Sequence, residues 1–246
     1  MSDRIRLDIA LEQRGLVQSR ARARDAVLRG TVKVNNVPAT KPATMVSADD
    51  TITIEDAASG YVSRAAVKLI AGLDAGEIEV RGKTCLDLGA STGGFTQVLT
   101  ERGAAKVYAV DVGHEQLHPT IQAMPNVVSF EGVNVKAITR EQIPEQIDLV
   151  VCDISFVSIT KVLAVPLALC RPGADAVLLI KPQFEVGREH VGKGGIVTDP
   201  AAIARARDQV VQFMDEQGWT QRLSLPSPIS GGDGNKEIVA LFAKRG

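Results

Sequence analysis

Four charged residues, far apart in the sequence, could act together on a proton. Lys68 lies in a predicted helix, Asp153 and Lys181 each end an apolar strand segment, and Glu237 opens another. In an open α/β sheet such strand ends face one crevice. Alternating lysines and carboxylates either keep one another charged or shift one lysine towards its neutral form. A base that removes the proton of a sugar hydroxyl requires that neutral form. We therefore predict that these four residues are catalytic.

A glycine-rich turn lies between a predicted strand and a predicted helix, in the run Cys85-Leu86-Asp87-Leu88-Gly89-Ala90-Ser91-Thr92-Gly93-Gly94-Phe95. Ligands of open α/β sheets bind beyond the carboxyl ends of the strands, and glycines there let the backbone approach the ligand closely. The predicted cofactor-binding residues of this turn are Gly89, Ala90, Ser91, Gly93, Gly94 and Phe95.

Other functions compete for the same turn. A dinucleotide fingerprint needs Gly-x-Gly-x-x-Gly, but Ser91 stands at the second glycine, and the Gly-Lys-Ser/Thr of a Walker loop is absent. Residues 89–93 do match the Gly-x-Ser-x-Gly nucleophile elbow of hydrolases. A hydrolase also needs a later acid and then a histidine, and the last histidine, His190, lies in a glycine-rich loop. NAD is therefore disfavoured, and a hydrolase is the weaker alternative.

An acidic residue after the next strand favours a methyl donor. Asp111 ends the run Val107-Tyr108-Ala109-Val110-Asp111, where a carboxylate can accept hydrogen bonds from both ribose hydroxyls of an adenosine cofactor. Asn134 follows the third strand and could bind an adenine edge or simply cap its loop. Together with Asp153 in the same crevice, these residues predict S-adenosyl-L-methionine as the cofactor.

A short run resembles a metal site. His114-Glu115-Gln116-Leu117-His118 matches the zinc-binding pattern His-Glu-x-x-His. Pro119, directly after it, restricts His118 away from helical geometry, and position 124 is Met rather than a third histidine. We therefore predict no metal site.

The residues after the fourth strand distinguish between kinds of methyl transfer. Methylation of an exocyclic amine typically uses Asp/Asn-Pro-Pro-aromatic, whereas this chain has Asp153-Ile154-Ser155-Phe156. Methylation of pyrimidine C5 needs a nucleophilic cysteine, and Cys152 lies on a buried strand before the crevice residue. The sequence therefore favours O-methylation.

The elements that must position these residues alternate from residue 61 onwards. Predicted strands are residues 84–88, 106–111, 127–131, 147–153, 176–181, 220–225 and 237–243, and predicted helices are 64–73, 93–102, 114–123, 158–170 and 200–217. Alternation predicts an α/β fold with a mostly parallel sheet of seven strands, covered on both faces. Only a loop separates the last two strands, which predicts an antiparallel edge pair, as in a Rossmann-like class I methyltransferase sheet.

The first 60 residues form a different unit, in which positive charge is concentrated. Residues 1–41 hold nine Lys or Arg and four Asp or Glu, a net charge of +5, whereas the whole chain has −1. Two short helices precede strand segments around an Asn35-Asn36 hairpin. We predict a small α+β domain over residues 1–56, a linker over 57–62 and the larger domain over 63–246.

Residues 1–60 resemble the S4 RNA-binding domain. The resemblance rests on Arg6-Leu7-Asp8, Gly15-Leu16-Val17-Gln18-Ser19-Arg20, Gly30-x-Val32-x-Val34-Asn35 and Lys41-Pro42. The hairpin departs from the usual Asn-Gly by having Asn36. The resemblance implies RNA binding, and with two residues of the larger domain the predicted RNA-binding set is Arg6, Ser19, Arg20, Arg22, Arg24, Lys33, Arg64 and Lys193.

The larger domain resembles the FtsJ-type 2′-O-ribose methyltransferases, whose Lys-Asp-Lys-Glu tetrad maps onto the four residues above. With the S4-like domain in front, and with Lys181-Pro182-Gln183-Phe184-Glu185, Gly192-Lys193-Gly194-Gly195 and Ser227-Pro228-Ile229, the whole chain is similar to the TlyA family. That resemblance implies methyl transfer from S-adenosyl-L-methionine to the ribose 2′-hydroxyl of cytidine in rRNA. Two other interpretations stay open: a non-catalytic RNA-binding or ribosome assembly factor and, because the family is sometimes labelled hemolysin, a membrane-active protein.

Composition limits the class and location of the protein. The 246 residues are 45% hydrophobic and 23% charged, which is ordinary for a globular protein and excludes collagen-like and wholly disordered chains. Cys85, Cys152 and Cys170 lack the spacing of a disulfide framework or a zinc ribbon. No apolar run reaches the ~18 residues of a membrane helix. We expect a cytoplasmic monomer whose partner is ribosomal RNA or a ribosomal subunit.

Overall fold

The chain folds as two compact units. A computed structural model describes residues 4–17, 19–56 and 58–246. One unit extends to Gly60, and the other begins at Tyr61. The predicted linker, residues 57–62, includes Ala57, which lies outside the described residues, so the domain limits given above stay predictions.

The smaller unit combines two helices with short antiparallel strands. Its elements are β1 (Ile5–Arg6), α1 (Leu7–Gln13), α2 (Arg20–Leu28), β2 (Val32–Val34), β3 (Val37–Pro38), β4 (Met45–Val46) and β5 (Ile52–Ile54). The Ser19 Oγ accepts a hydrogen bond from the Arg22 N–H (3.3 Å) and so caps α2. Asn35 and Asn36 both have positive φ (49° and 65°), which a two-residue hairpin between twisted strands requires. The predicted pair of helices and the hairpin are confirmed.

The larger unit is built on one seven-stranded sheet. Its strands are β6 (Thr84–Leu88), β7 (Lys106–Val110), β8 (Val127–Phe130), β9 (Ile147–Cys152), β10 (Cys170–Ile180), β11 (Trp219–Pro226) and β12 (Ile238–Lys244). They lie in the order β11-β12-β10-β9-β6-β7-β8, and only β12 is antiparallel to its neighbours. The predicted mixed sheet, with an antiparallel pair at one edge, is thereby confirmed. The carboxyl ends of β6, β7, β9 and β10 consequently lie at one edge of the sheet.

The helices of the larger unit cover both faces of this sheet. They are α3 (Ala66–Ala75), α4 (Gly94–Glu101), α5 (Pro119–Gln122), α6 (Ala164–Ala168), α7 (Pro182–Glu185) and α8 (Pro200–Glu216). Leu69 of α3 packs in one buried cluster with Leu149 of β9, whereas Met214 of α8 packs in a second cluster with Val150 of β9. Successive residues of a central strand are thus buried on opposite faces, as its continuous apolar run predicts. Among the described residues, no helix is both long and apolar enough to cross a membrane.

Of the helix predicted over residues 114–123, only the part that forms α5 is helical. The carboxylate of Glu131 accepts hydrogen bonds from the backbone N–H groups of residues 115–117, at 2.7–3.0 Å. These bonds fix the loop, and the helix begins only after it because His118, which precedes Pro119, has a ψ of 136°, the extended geometry that a residue before proline favours. Glu131 lies directly after β8, so its bonds to the loop could not be predicted from the local pattern.

The helix predicted over residues 158–170 is interrupted. A helical turn spans Ile159–Lys161, and α6 begins only at Ala164. The cause is Pro166, which has no N–H to donate and whose ring would clash with the carbonyl of Val162 in a continuous helix. The break leaves the segment after β9 free to form a loop at the strand ends.

Candidate active site

The glycine-rich turn joins β6 to α4 and lies against the end of β9. Gly89 has a φ of +79°, and a Cβ added there would come within 3.1 Å of the backbone of Asp153 and Ile154. Gly93 has a φ of +95°, and an added Cβ would come within 2.8 Å of the Leu117 side chain. Both positions therefore require glycine, the first because two backbone segments meet there and the second because a side chain packs on it.

Asp111, directly after β7, is held in one orientation by neighbouring backbone groups. Its Oδ2 accepts a hydrogen bond from the Ser91 N–H (2.8 Å), and its Oδ1 accepts one from the Gly113 N–H (2.8 Å). A carboxylate has about four lone-pair sites, so each oxygen can accept a second bond. The residue is therefore able to receive two hydroxyl groups, as we predict for the ribose of the cofactor.

A cavity of about 400 Å³ opens beside the Asp111 carboxylate. Val112 and Ile154 are among its apolar lining residues, and Asn134 contributes a polar group. Asn134 also caps the helical turn that follows it, since its Oδ1 accepts a hydrogen bond from the Lys136 N–H (3.0 Å). A largely apolar space with a few fixed polar groups suits a nucleoside.

A second cavity, of about 150 Å³, adjoins the first. The two share part of the glycine-rich turn together with Asp153 and Ser155, and the second is also lined by Phe95 and Lys181. The predicted cofactor residues other than Gly93, together with two of the predicted catalytic residues, thus line these adjoining spaces. This arrangement fits an elongated cofactor that carries a nucleoside at one end, such as S-adenosyl-L-methionine.

The four predicted catalytic residues form two ion pairs. Lys68 Nζ lies 2.5 Å from Glu237 Oε2, and both side chains are buried. Lys181 Nζ lies 2.7 Å from Asp153 Oδ1 and also donates hydrogen bonds to Ser155 Oγ (2.7 Å) and to the Asp153 carbonyl oxygen (3.1 Å). The sequence indicated the four charges but not which lysine pairs with which carboxylate. Of the two pairs, Lys181–Asp153 lines the cavities.

Asp87, two residues before Gly89, is a buried carboxyl group that the sequence analysis did not single out. Its Oδ2 accepts a hydrogen bond from Thr96 Oγ1 (2.6 Å), and its buried Oδ1 has no partner among the described residues. Burial raises the pKa of Asp87 to about 7, and the nearby carboxylates of Asp153 and Asp111 add to the rise. A charged residue inside the apolar run of a central strand was the signal that could have identified it. A buried carboxyl group with a raised pKa beside this turn marks the turn as a functional site.

We expect Asp87 to make the folding stability fall as the pH rises. The pKa of this carboxyl is about 7 in the folded chain against an ordinary 3.8, so between these values the unfolded chain loses a proton that the folded chain keeps. The Asp87→Asn variant keeps an acceptor for Thr96 but has no proton to lose. Denaturant unfolding at pH 5 and at pH 8 should show the parent losing about 3 kcal/mol more stability than the variant. Equal losses in the two proteins would contradict this role of Asp87.

Phe156 is a second candidate that the sequence analysis did not name as a site residue. Its side chain is 91% exposed, and its φ of +69° is strained for a residue other than glycine. Its ring centroid lies 5.5 Å from that of Phe184, and it lines the larger cavity. An exposed aromatic ring held on a strained backbone beside a cavity points to contact with a ligand. Phe156 stands in the Asp153-Ile154-Ser155-Phe156 run, which was used above only as evidence against amine methylation.

Most of the predicted RNA-binding side chains of the smaller unit stay accessible. Arg24 is exposed and forms no hydrogen bond or ion pair with a described residue. Arg6 and Arg20 both pair with Asp8 while their side chains remain 38% and 49% exposed. Lys33 pairs with a glutamate at the surface (2.6 Å). A surface pair of this kind is weak and can be exchanged for a phosphate.

Arg22 is less accessible than Arg24, and its contact with RNA phosphate stays a prediction. Its guanidinium is half-buried and donates a hydrogen bond to the Ala58 carbonyl oxygen (2.6 Å), and burial lowers its pKa. The side chain is thus used within the fold, which could not be read from its place on α2. Ser19 acts as a helix cap, Arg64 is half-buried and Lys193 is exposed, and their contact with RNA stays a prediction.

His118 and Cys152 are held in positions that do not suit the metal and nucleophile chemistry considered above. His118 caps α5, where its Nδ1 accepts a hydrogen bond from the Thr120 N–H (3.3 Å). Within the described ranges, no three His, Cys, Asp or Glu side chains are placed to hold a metal ion. Cys152 is fully buried, and burial raises its pKa to about 12, so it is poorly suited to act as a nucleophile. These findings agree with the preference for O-methylation.

The sheet order, the glycine-rich turn and the charged residues at the strand ends define a class I methyltransferase of the FtsJ-like kind. The family model described as FtsJ-like methyltransferase matches residues 61–244, and the S4 domain model matches residues 5–52. The chain belongs to the TlyA family, which combines these two parts. The family predicted from the motifs is confirmed.

Similar proteins cover nearly the whole chain. The 16S/23S rRNA (cytidine-2′-O)-methyltransferase TlyA of Mycobacterium tuberculosis is 44% identical over 238 residues, which are 96% of this chain and 89% of that protein. Hemolysin A of Brachyspira hyodysenteriae is 39% identical over 239 residues, 97% of this chain and 99% of that protein. The solved structure of a candidate hemolysin from Streptococcus thermophilus has a TM-score of 0.78 and 31% identity, and the match covers 100% of this chain and 90% of that one.

Proposed function

We propose that this protein transfers a methyl group from S-adenosyl-L-methionine to the ribose 2′-hydroxyl of cytidine in ribosomal RNA. The observation that carries the proposal is the position of Lys181, which lies at the space beside the glycine-rich turn and is held there by Asp153 and Ser155. The relative from Mycobacterium tuberculosis, 44% identical over 96% of this chain, is named for this reaction.

The first task of the site is to hold both reactants in a fixed geometry. When bound, S-adenosyl-L-methionine supplies a methyl group on a positively charged sulfur. Asp111 and Asn134 would hold its nucleoside, and the turn over residues 89–95 would hold the remainder. Because fixed geometry replaces a chance encounter, positioning of this kind accounts for a large part of a rate enhancement.

The second task falls to Lys181, which acts on the attacking hydroxyl group. A ribose hydroxyl is a weak nucleophile and gains from losing its proton as it attacks. We assign that proton to Lys181 Nζ, which would accept it through its lone pair, while the hydroxyl oxygen would bond to the methyl group and the donor would keep the electron pair of its sulfur–methyl bond. Asp153 and Ser155 fix the place of Nζ through their three contacts with it.

Lys68 and Glu237 have a supporting role in this scheme. Their buried pair is neutral as a whole, and a buried charge left without its partner is strongly destabilising. We therefore assign the pair to holding the start of β12 against α3 beside the reacting groups. The presence of both paired lysines favours catalysis over a non-catalytic role in ribosome assembly.

The smaller unit supplies affinity for the RNA. Residues 1–41 carry a net charge of +5, and Arg24 and the outer parts of Arg6 and Arg20 are accessible. Positive charge that displaces counterions from phosphates gives sequence-independent affinity. We propose that the protein works in the cytoplasm as a monomer on ribosomal RNA or on a ribosomal subunit.

Methyl transfer by the purified protein tests the proposed function. The protein is mixed with radiolabelled S-adenosyl-L-methionine and unmodified 16S or 23S rRNA, and the RNA is then digested to nucleosides. We expect the label in 2′-O-methylcytidine. Label in a base-methylated nucleoside, or no label in RNA, would contradict the proposal.

We expect Phe156 to stack on a base of the RNA. Stacking of a base on an aromatic side chain contributes about 1–3 kcal/mol, so Phe156→Ala should raise the KM for RNA about tenfold or more. The Phe156→Trp variant, which keeps a flat ring, is the matched control and should stay close to the parent. A Phe156→Ala variant with the parent's KM would rule out the stacking role.

A further inference from the structure

Asp8 is a fully buried carboxylate at the start of α1, and two arginines from other elements bind it. Arg6, on β1, donates from Nε to Asp8 Oδ1 and from Nη2 to Oδ2, both at 3.0 Å. Arg20, the first residue of α2, donates from Nε to Asp8 Oδ2 at 3.1 Å. One carboxylate thus joins side chains from three elements of the smaller unit.

Asp8, Arg6 and Arg20 together carry a net positive charge, and the two guanidinium groups are held in fixed orientations. A buried carboxylate is unfavourable unless it is paired and hydrogen-bonded, and here the two guanidinium groups meet that need. The hydrogen bond from Arg6, followed by the contacts with Arg20, lowers the pKa of Asp8 to about 2. At neutral pH the three residues therefore keep one excess positive charge.

The two arginines use only part of their donors on Asp8. Among the described residues, Arg6 Nη1 and both Nη groups of Arg20 have no partner. The side chains are 38% and 49% exposed, whereas the Asp8 side chain is wholly buried. The outer edges of both guanidinium groups are accordingly available for an acidic ligand, and their inner edges are fixed.

We propose that Asp8 is a positioning residue that presents Arg6 and Arg20 together as one two-pronged site for RNA phosphate. Guanidinium groups match phosphate oxygens with paired hydrogen bonds, and a guanidinium that is already held loses less freedom when it binds. The inference rests on the proposed function, because it takes the smaller unit to be the part that binds ribosomal RNA.

The direction in which Asp8→Asn changes RNA affinity distinguishes a positioning role of Asp8 from a purely electrostatic one. Asp8→Asn removes a negative charge, so a purely electrostatic surface would bind RNA more tightly. If Asp8 acts by positioning, the same variant binds more weakly, by about tenfold, because the arginines lose their charged anchor. Affinity is measured on the full chain with protein-free 23S rRNA transcribed in vitro, over a series of salt concentrations.

Two further variants keep the test decisive if Asp8→Asn does not fold. Arg6→Lys and Arg20→Lys preserve the charge but replace a guanidinium group held on Asp8 by a single ammonium group, and each should weaken RNA binding about tenfold. Arg207→Lys is the matched control, because Arg207 is a surface arginine of α8 that pairs with Asp208 and has no part in the proposed RNA site. It should change the affinity by less than about twofold.

Unchanged or tighter binding by a folded Asp8→Asn variant would overturn the positioning role. So would lysine variants of Arg6 and Arg20 that bind RNA like Arg207→Lys. Methylation of the same RNA by the parent is measured in parallel, and its absence would reject the proposed function whichever way the affinities change.

Discussion

The Lys181→Ala variant is expected to methylate RNA about 10²–10⁴-fold more slowly than the parent in a single turnover, because a positioned base contributes a factor of this size. Binding of cofactor and RNA should persist, since Lys181 contacts Asp153 and Ser155 rather than the Asp111 end of the cavity. Lys161→Ala removes an exposed lysine from the loop after β9 and is the control that should keep the parent's rate.

The Lys181→Arg variant distinguishes a base from a simple positive charge. A guanidinium group does not lose its proton in this pH range, so the variant should be nearly as slow as Lys181→Ala. If Lys181 only neutralised a phosphate, arginine would restore the reaction. A single-turnover rate within a few-fold of the parent would therefore exclude Lys181 as the base.

The second large effect is expected at Asp111. Each hydrogen bond to a charged group is worth about 1.5–3 kcal/mol, so the loss of two from the ribose should weaken cofactor affinity about 10²–10⁴-fold in Asp111→Ala. The substitution also frees the N–H groups of Ser91 and Gly113, which the carboxylate now orders. Isothermal titration with S-adenosyl-L-methionine measures the effect.

The control for Asp111 is another carboxylate that has no part in the site. Asp208→Ala removes an exposed carboxylate that pairs only with its neighbour Arg207, and it should leave cofactor affinity unchanged. Gly93 is a less suitable target, because a larger side chain there would press on Leu117 and disturb packing as well as binding. An Asp111→Ala variant with the parent's cofactor affinity would remove Asp111 from the cofactor site.

The class of protein and the main elements were predictable because they follow from local patterns. Apolar runs of five to seven residues predicted the strands, and glycines such as Gly89, which has a positive φ in the structure, marked the turn that opens the site. The charged residues at the strand ends, Asp153 and Lys181, then followed from the topology of a parallel sheet. The FtsJ-like methyltransferase match over residues 61–244 confirms that class.

Features that depend on distant partners were not predictable in this way. The pairing of Lys68 with Glu237 joins residues 169 positions apart. The hydrogen bond of Arg22 to the Ala58 carbonyl and the loop held by Glu131 likewise depend on neighbours supplied by the folded chain. Periodicity and local motifs contain no information on such contacts, so they became visible only in the structure.

The central claim is that Lys181 and its surroundings place a methyl group on a ribose 2′-hydroxyl of ribosomal RNA. The most direct test maps 2′-O-methyl groups along all rRNA from cells that lack this protein and are supplied with the parent or with Lys181→Ala. We predict at least one cytidine that carries the mark with the parent and loses it with the variant. Identical maps from cells with the parent and cells without any copy of the protein would contradict the account.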